Sequence, residues 1–140
     1  MDAGAFTPGC SKSHLPSFIS AMNELKMKGI ETVIWYVSLL ICCIPELFQN
    51  NVSFHFSTAT NDAFVMEAWG RTSGGADAGI RFLADDSGEL CTALGLSMET
   101  GCLVRSKRYS LVAEDGVVIH YFSSAEQASD TWAPKVVSAL

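Results

Sequence analysis

The chain has 140 residues, 49% hydrophobic and 17% charged, which is enough for one packed domain and too apolar for global disorder. Nine Lys and Arg against fifteen Asp and Glu give a net charge of −6, which excludes the basic footprint of a nucleic-acid binder and the polybasic patch that holds a protein on an anionic membrane. The cysteines, at positions 10, 42, 43, 91 and 102, show no C-x-x-C spacing; they form neither a disulfide framework nor a zinc site, and fit thiols kept reduced in a cytosol-like compartment.

Residues 1–10 are small and loop-like, ending in Thr7-Pro8-Gly9-Cys10. Leu15, Phe18, Ile19, Met22 and Leu25 then recur at three- and four-residue spacing, predicting a helix that Lys28 and Gly29 close and that Pro16 kinks or divides. Ile30 to Ile34 reads as a buried strand, and its apolar run continues to Ile44. The charge-free stretch, Thr32 to Pro45, is shorter than the roughly 17–25 residues of a membrane span. Glu46 to Thr60 reads as loop with one alternating piece, Val52 to Phe56.

Asn61-Asp62 caps a helix from Ala63 to about Gly70, Ile80 to Ala84 is a short strand closed by Asp85-Asp86-Ser87-Gly88, and Glu89 to Leu96 is a short helix. Val104 to Ala113 and Val117 to Phe122 form a hairpin around Glu114-Asp115-Gly116. Ser123-Ser124-Ala125-Glu126 is a capping box for a terminal helix anchored by Val136 and Val137, with Pro134 interrupting or restarting it. Helix, strand, helix, strand, hairpin and helix in this order describe an α/β layered domain of thioredoxin type.

Cys10 stands out chemically. A thiol at a helix start meets unpaired backbone N–H groups and the positive end of the helix dipole, an environment that favours the nucleophilic thiolate. An inert buried cysteine is the plainer reading when this position is taken alone.

The surrounding string adds to it. Gly4-Ala5-Phe6-Thr7-Pro8-Gly9-Cys10-Ser11-Lys12-Ser13-His14-Leu15-Pro16 closely resembles the active-site segment of the peroxiredoxin-5-like, or type II, peroxiredoxins, whose pattern is G-A-F-T-P-x-C-S followed by a His-Leu/Val-Pro step. Asn61-Asp62-Ala63-Phe64-Val65 to Trp69, Phe82-Leu83-Ala84-Asp85 to Gly88, and Arg105-Ser106-Lys107-Arg108-Tyr109-Ser110-Leu111-Val112 resemble three further segments of that family, in the family's order.

The resemblance implies a thioredoxin-like fold and a thiol-specific peroxidase acting on hydrogen peroxide and alkyl hydroperoxides through a sulfenic acid. Cys10 matches the peroxidatic nucleophile, Thr7 the residue whose hydroxyl bonds the thiolate and the peroxide, and Arg108 the arginine that stabilises both; Pro8 and Gly9 lie where backbone groups meet the substrate. Strand alternation puts Arg108 on one face with Val104, Ser106 and Val112. The chemistry implied needs no metal, haem or flavin. Trp35 stands at about one position where family members carry a resolving cysteine, and Ser129-Asp130-Thr131-Trp132, the other such stretch, has none. Cys42, Cys43, Cys91 and Cys102 match neither. One-cysteine chemistry follows, with glutaredoxin, glutathione or thioredoxin as outside reductant. A homodimer and a cytoplasmic location are expected, or an organellar one if a transit peptide precedes Met1.

The chain departs from the family at three points. Ala3 stands where the family has a thiol-shielding proline. The N-terminal hairpin and central strand that lead into the active-site loop have no counterpart before Gly4, so a gapped sheet is expected. Residues 35–58 are an apolar insertion in a single, partial redoxin domain spanning 1–140. An internal methionine taken as the start and a translated intron are the expected origin of the last two. The alternative function is a catalytically inactive thioredoxin-fold fragment.

Overall fold

The computed structural model describes residues 2–36, 54–58, 61–100 and 103–140. Its main sheet has five strands in the order β4-β2-β3-β7-β8, formed by β2 (Thr32–Tyr36), β3 (Phe54–Thr58), β4 (Arg81–Phe82), β7 (Tyr109–Glu114) and β8 (Val117–Ser123). β2 runs parallel to β3 and β4, while β3 and β8 pair antiparallel with β7. A smaller antiparallel sheet, β1-β6-β5, joins β1 (Asp2–Ala3), β5 (Ser97–Thr100) and β6 (Leu103–Lys107). The helices are α1 (Leu15–Met27), α2 (Ala63–Thr72), α3 (Glu89–Ala93) and α4 (Ala133–Val137).

Several sequence expectations hold in detail. α1 buries Leu15, Phe18, Met22 and Leu25 of the stripe its periodicity marks, with Ile19 half-buried against the same core. Each such side chain contributes about 1.5–3 kcal/mol on full burial. Asp62 caps α2, its carboxylate accepting the Val65 N–H at 2.9 Å. Asp115 and Gly116 both have positive φ, 49° and 77°, the backbone of the tight hairpin turn that an Asp-Gly pair favours. Among the described residues no helix is long and apolar enough to cross a membrane.

Other expectations are corrected. The sheet has no gap between β2 and β7, because Phe54–Thr58 lies between them, Phe56 pairing with Ile34 on one side and Leu111 on the other. That piece was expected in a loop; it is the central strand. The two ends of the expected insertion therefore belong to the sheet, Trp35 in β2 and Phe54–Thr58 as β3, while residues 37–53 lie outside the described residues.

Val104 to Ala113 is not one strand. The chain leaves the small sheet after Lys107 and enters the main sheet at Tyr109, with Arg108 at the crossing. The expected shared face fails for that reason: Val104 is exposed and Arg108 is buried. Within β7 the side chains alternate between two buried faces, Val112 packing in the main core and Tyr109, Leu111 and Ala113 packing with Leu96 in a second cluster, so the strand shows no exposed face before Glu114. The capping box falls at Gln127 and Asp130, four residues beyond the expected one, because Ser123 still belongs to β8. It opens a 3₁₀ turn, Ala128–Thr131, and α4 restarts with Pro134 in its first turn and Val136 and Val137 buried.

Candidate active site

The loop before α1 is fixed from three directions. Asn61 Oδ1 accepts the Ala5 N–H at 2.8 Å, Thr7 N–H bonds the Gly4 carbonyl at 3.3 Å, and the Thr7 carbonyl accepts Ser11 N–H at 2.9 Å. Phe6 takes a positive φ of 57° in this bend, a strained conformation for a bulky side chain. Cys10–His14 then form a wide π-type turn in which the Leu15 N–H reaches back to the Cys10 carbonyl. Pro16, which has no N–H to give, follows where the regular α-helix takes over. This is the division that Pro16 announced.

The turn sends Cys10 inward, to full burial. Arg108, only 4% exposed, enters from the crossing between β6 and β7. Its Nη1 donates to Cys10 Sγ at 3.2 Å and to His14 Nδ1 at 3.1 Å. A buried guanidinium is costly unless its protons find partners, and Cys10 Sγ and His14 Nδ1 accept two of its hydrogen bonds. Gly9 makes room for this arrangement: a Cβ there would lie 2.9 Å from Arg108 Nη2.

His14 is also fully buried. Burial, and then the neighbouring Arg108 charge, bring its pKa down to about 3 against the opposing hydrogen bond to Thr131. Its Nε2 lies 2.8 Å from the Thr131 carbonyl oxygen and 3.3 Å from Ser110 Oγ, which itself donates to the same carbonyl at 2.6 Å. The rings of Trp35 and Phe18 meet the imidazole edge-on, with centroids 4.9 and 5.6 Å away.

Known proteins are similar to this chain in sequence and in fold. The Redoxin family pattern matches residues 2–137. Peroxiredoxin-2E-2, chloroplastic, of Oryza sativa subsp. japonica is 41% identical over 120 residues, covering 82% of this chain and 44% of that protein. Peroxiredoxin-2C of the same organism is 33% identical over 141 residues, covering 98% of this chain and 73% of its own length.

This chain belongs to the peroxiredoxin family.

Among solved structures, reduced Prx3 of Vibrio vulnificus in complex with hydrogen peroxide superposes with a TM-score of 0.77 at 31% identity, covering 98% of this chain and 76% of that one. The peroxiredoxin chain thus has the thioredoxin-like α/β fold that its motifs implied. It spans about half the length of several of the curated relatives it matches.

The structure brings Cys10 and Arg108 together across 98 positions of sequence. Thr7 sits at the start of the same helix, but its hydroxyl proton goes to the Gly4 carbonyl oxygen at 2.8 Å, so toward a substrate this oxygen is an acceptor. Pro8 and Gly9 form the exposed edge of the turn. Ala3 lies in β1 opposite Ser106, and Cys10 is out of solvent contact with alanine at that position. Trp35, at one family position for a resolving cysteine, is a core residue packed on His14 and Trp69. Neither Cys10 nor Cys91 is in a disulfide; Cys42, Cys43 and Cys102 lie outside the described residues.

Sequence reasoning missed four contributors to the site. Asn61 holds the loop instead of capping α2; Ser110 and Thr131 hold His14; and His14 itself touches the arginine. The His14-Leu15-Pro16 step, with His14 and Leu15 buried, is visible as a motif, but nothing local in sequence points from it to residues 108, 110 and 131.

Proposed function

We propose that this peroxiredoxin chain is a thiol-dependent peroxidase with Cys10 as nucleophile. The observation that carries the reading is the buried Arg108 Nη1 lying 3.2 Å from the buried Cys10 Sγ. The Cys10 thiolate attacks one oxygen of a hydroperoxide, an S–O bond forms and the O–O bond breaks. The sulfur is oxidised to the sulfenic acid, and the leaving oxygen takes up a proton as water or an alcohol. Arg108 donates hydrogen bonds to the thiolate and offsets charge that spreads onto the peroxide oxygens. Thr7 accepts a hydrogen bond from the peroxide O–H through its oxygen, and the Pro8–Gly9 turn lines the approach.

An external thiol then attacks the sulfenic sulfur, releasing water and leaving a mixed disulfide that a second thiol reduces. Glutaredoxin with glutathione, or thioredoxin, fills this role, consistent with Trp35 and Thr131 occupying regions where other members carry resolving cysteines. We place the protein in the cytoplasm or in an organelle, as a single domain that pairs as a homodimer. Two of its relatives are named as chloroplastic. Residues 35–58 are proposed as an insertion relative to the family, of which Phe54–Thr58 has been taken into the sheet. Peptides covering Leu39 to Asn51 in the native protein establish that stretch as expressed; their absence beside full coverage of Asn61 to Arg71 identifies it as intron sequence.

An equimolar peroxide titration of the purified chain, read with a sulfenic-acid trap and peptide mass, tests the activity. Rapid oxidation confined to Cys10 is the expected outcome. Slow oxidation spread over the five thiols would mean an inactive member of the family.

A further inference from the structure

The peroxidase reading gives roles to Cys10, Thr7 and Arg108 and none to the buried imidazole beside them. His14 Nε2 faces the Thr131 carbonyl at 2.8 Å, and a carbonyl oxygen only accepts, so Nε2 carries a proton. The ring is neutral at physiological pH, since burial and Arg108 hold its pKa near 3. Nδ1 is therefore a bare lone pair, the acceptor for Arg108 Nη1 at 3.1 Å. Arg108 Nη1 also lies 3.2 Å from Cys10 Sγ. A guanidinium NH₂ carries two protons in a fixed plane. One of them is committed to His14, which leaves the other directed at sulfur.

The tautomer is itself built in. Ser110, in β7, and Thr131, at the end of the 3₁₀ turn, close a small network on Nε2, and Trp35 and Phe18 hold the ring plane. Among the described residues, the ionisable group bonded to His14 is Arg108, from the β6–β7 crossing, and through the same Nη1 it reaches Cys10, one turn earlier in the helix of His14.

We infer that His14 is a positioning residue: by accepting one Arg108 Nη1 proton at Nδ1 while its Nε2–H is tied to the Thr131 carbonyl, it aims the remaining Nη1 proton at Cys10. The inference deepens the peroxidase reading and rests on it for its rate readout, though not for its spectroscopic one. It makes the C-terminal turn, through the Thr131 main-chain oxygen, part of the active-site framework.

Nitrogen-15 NMR of the reduced, unmodified chain tests the tautomer first. The expected result is an Nε2–H imidazole that stays neutral from pH 8 to 5. An Nδ1–H tautomer, or protonation near the ordinary value of 6.5, overturns the inference. Two variants then test the effect on rate. His14→Asn keeps an acceptor near the Nδ1 position, and His14→Phe keeps the ring without it. Peroxide oxidation of Cys10 is expected to slow about tenfold in His14→Phe and to stay within about threefold of the parent in His14→Asn, as loss of one charge-assisted hydrogen bond implies. Equal rates in all three chains, or no rescue by asparagine, refute it. If His14→Phe does not fold, the NMR result on the parent chain decides. A parent with the expected tautomer and no peroxide reactivity sinks the peroxidase reading alone.

Discussion

Cys10 and Cys91 are both fully buried, both in the first turn of a helix and neither in a disulfide. Their surroundings carry opposite charge. Cys10 receives a hydrogen bond from the Arg108 guanidinium. Cys91 gives its backbone N–H to Oδ2 of Asp85, a carboxylate that is itself fully buried. A cation offsets the charge of a thiolate and a carboxylate does not. Burial and a helix start are thus common to both sites, and the distinguishing feature is the charge imported from a distant part of the chain.

The strongest way to break the comparison is to exchange the sulfurs for oxygen one at a time. Cys10→Ser is expected to abolish peroxide consumption, a loss of about 10³-fold or more for removal of a nucleophile, while Cys91→Ser keeps the rate within about twofold. A stopped-flow peroxide assay on the two variants reads this, and comparable losses would erase the distinction. Arg108→Met should come next, at about 10²–10³-fold slower oxidation of Cys10 for loss of a preorganised charge donor. Arg108→Lys should recover only part of it, because an ammonium lacks the planar fork that serves sulfur and His14 together.

Acid should act on the Cys10 side through His14. Its folded pKa, about 3, lies below the ordinary 6.5, so the unfolded chain binds the proton more readily. The contribution to stability is complete above pH 6.5 and is lost as pH falls toward 3, amounting to about 2 kcal/mol between pH 7 and 5. Thermal melts at both pH values should show a smaller acid loss for His14→Asn than for the parent; parallel losses would remove His14 from the account. Gly9→Ala should have the smallest effect, slowing Cys10 oxidation by less than about tenfold. The added methyl meets only the tip of the Arg108 side chain, and the resembling family pattern leaves this position open.

What could be read from sequence divides along similar lines. The α1 stripe, the Asp62 cap, the Asp-Gly turn and the thiol at the helix start are local patterns, and the structure has all of them. The Arg108 crossing was misread as continuous strand because alternation over residues 104–113 looks the same whether one sheet or two receive it. β3 was misread because Val52 to Phe56 is short and neighbours a long apolar run, so nothing nearby marks it as central; its partners, Ile34 and Leu111, lie in other segments. His14 shows in the sequence as part of a motif and its task does not, since its three polar contacts come from positions 108, 110 and 131.

The place of β3 has a kinetic consequence. The β7–β8 hairpin closes through a turn at Asp115–Gly116 and can form early, as a contact between near neighbours in sequence. β3 must instead meet β2 in parallel across residues 37–53 and β7 across more than fifty positions before the sheet is continuous. Arg108 immediately precedes β7, so the partner of Cys10 is anchored to the strand whose far side waits for β3. Refolding is therefore expected to show strand signal before peroxide-reactive thiol, with the lag set by closure of the longest loop. Simultaneous recovery of the two signals would show that the sheet edge next to Arg108 assembles without its central strand.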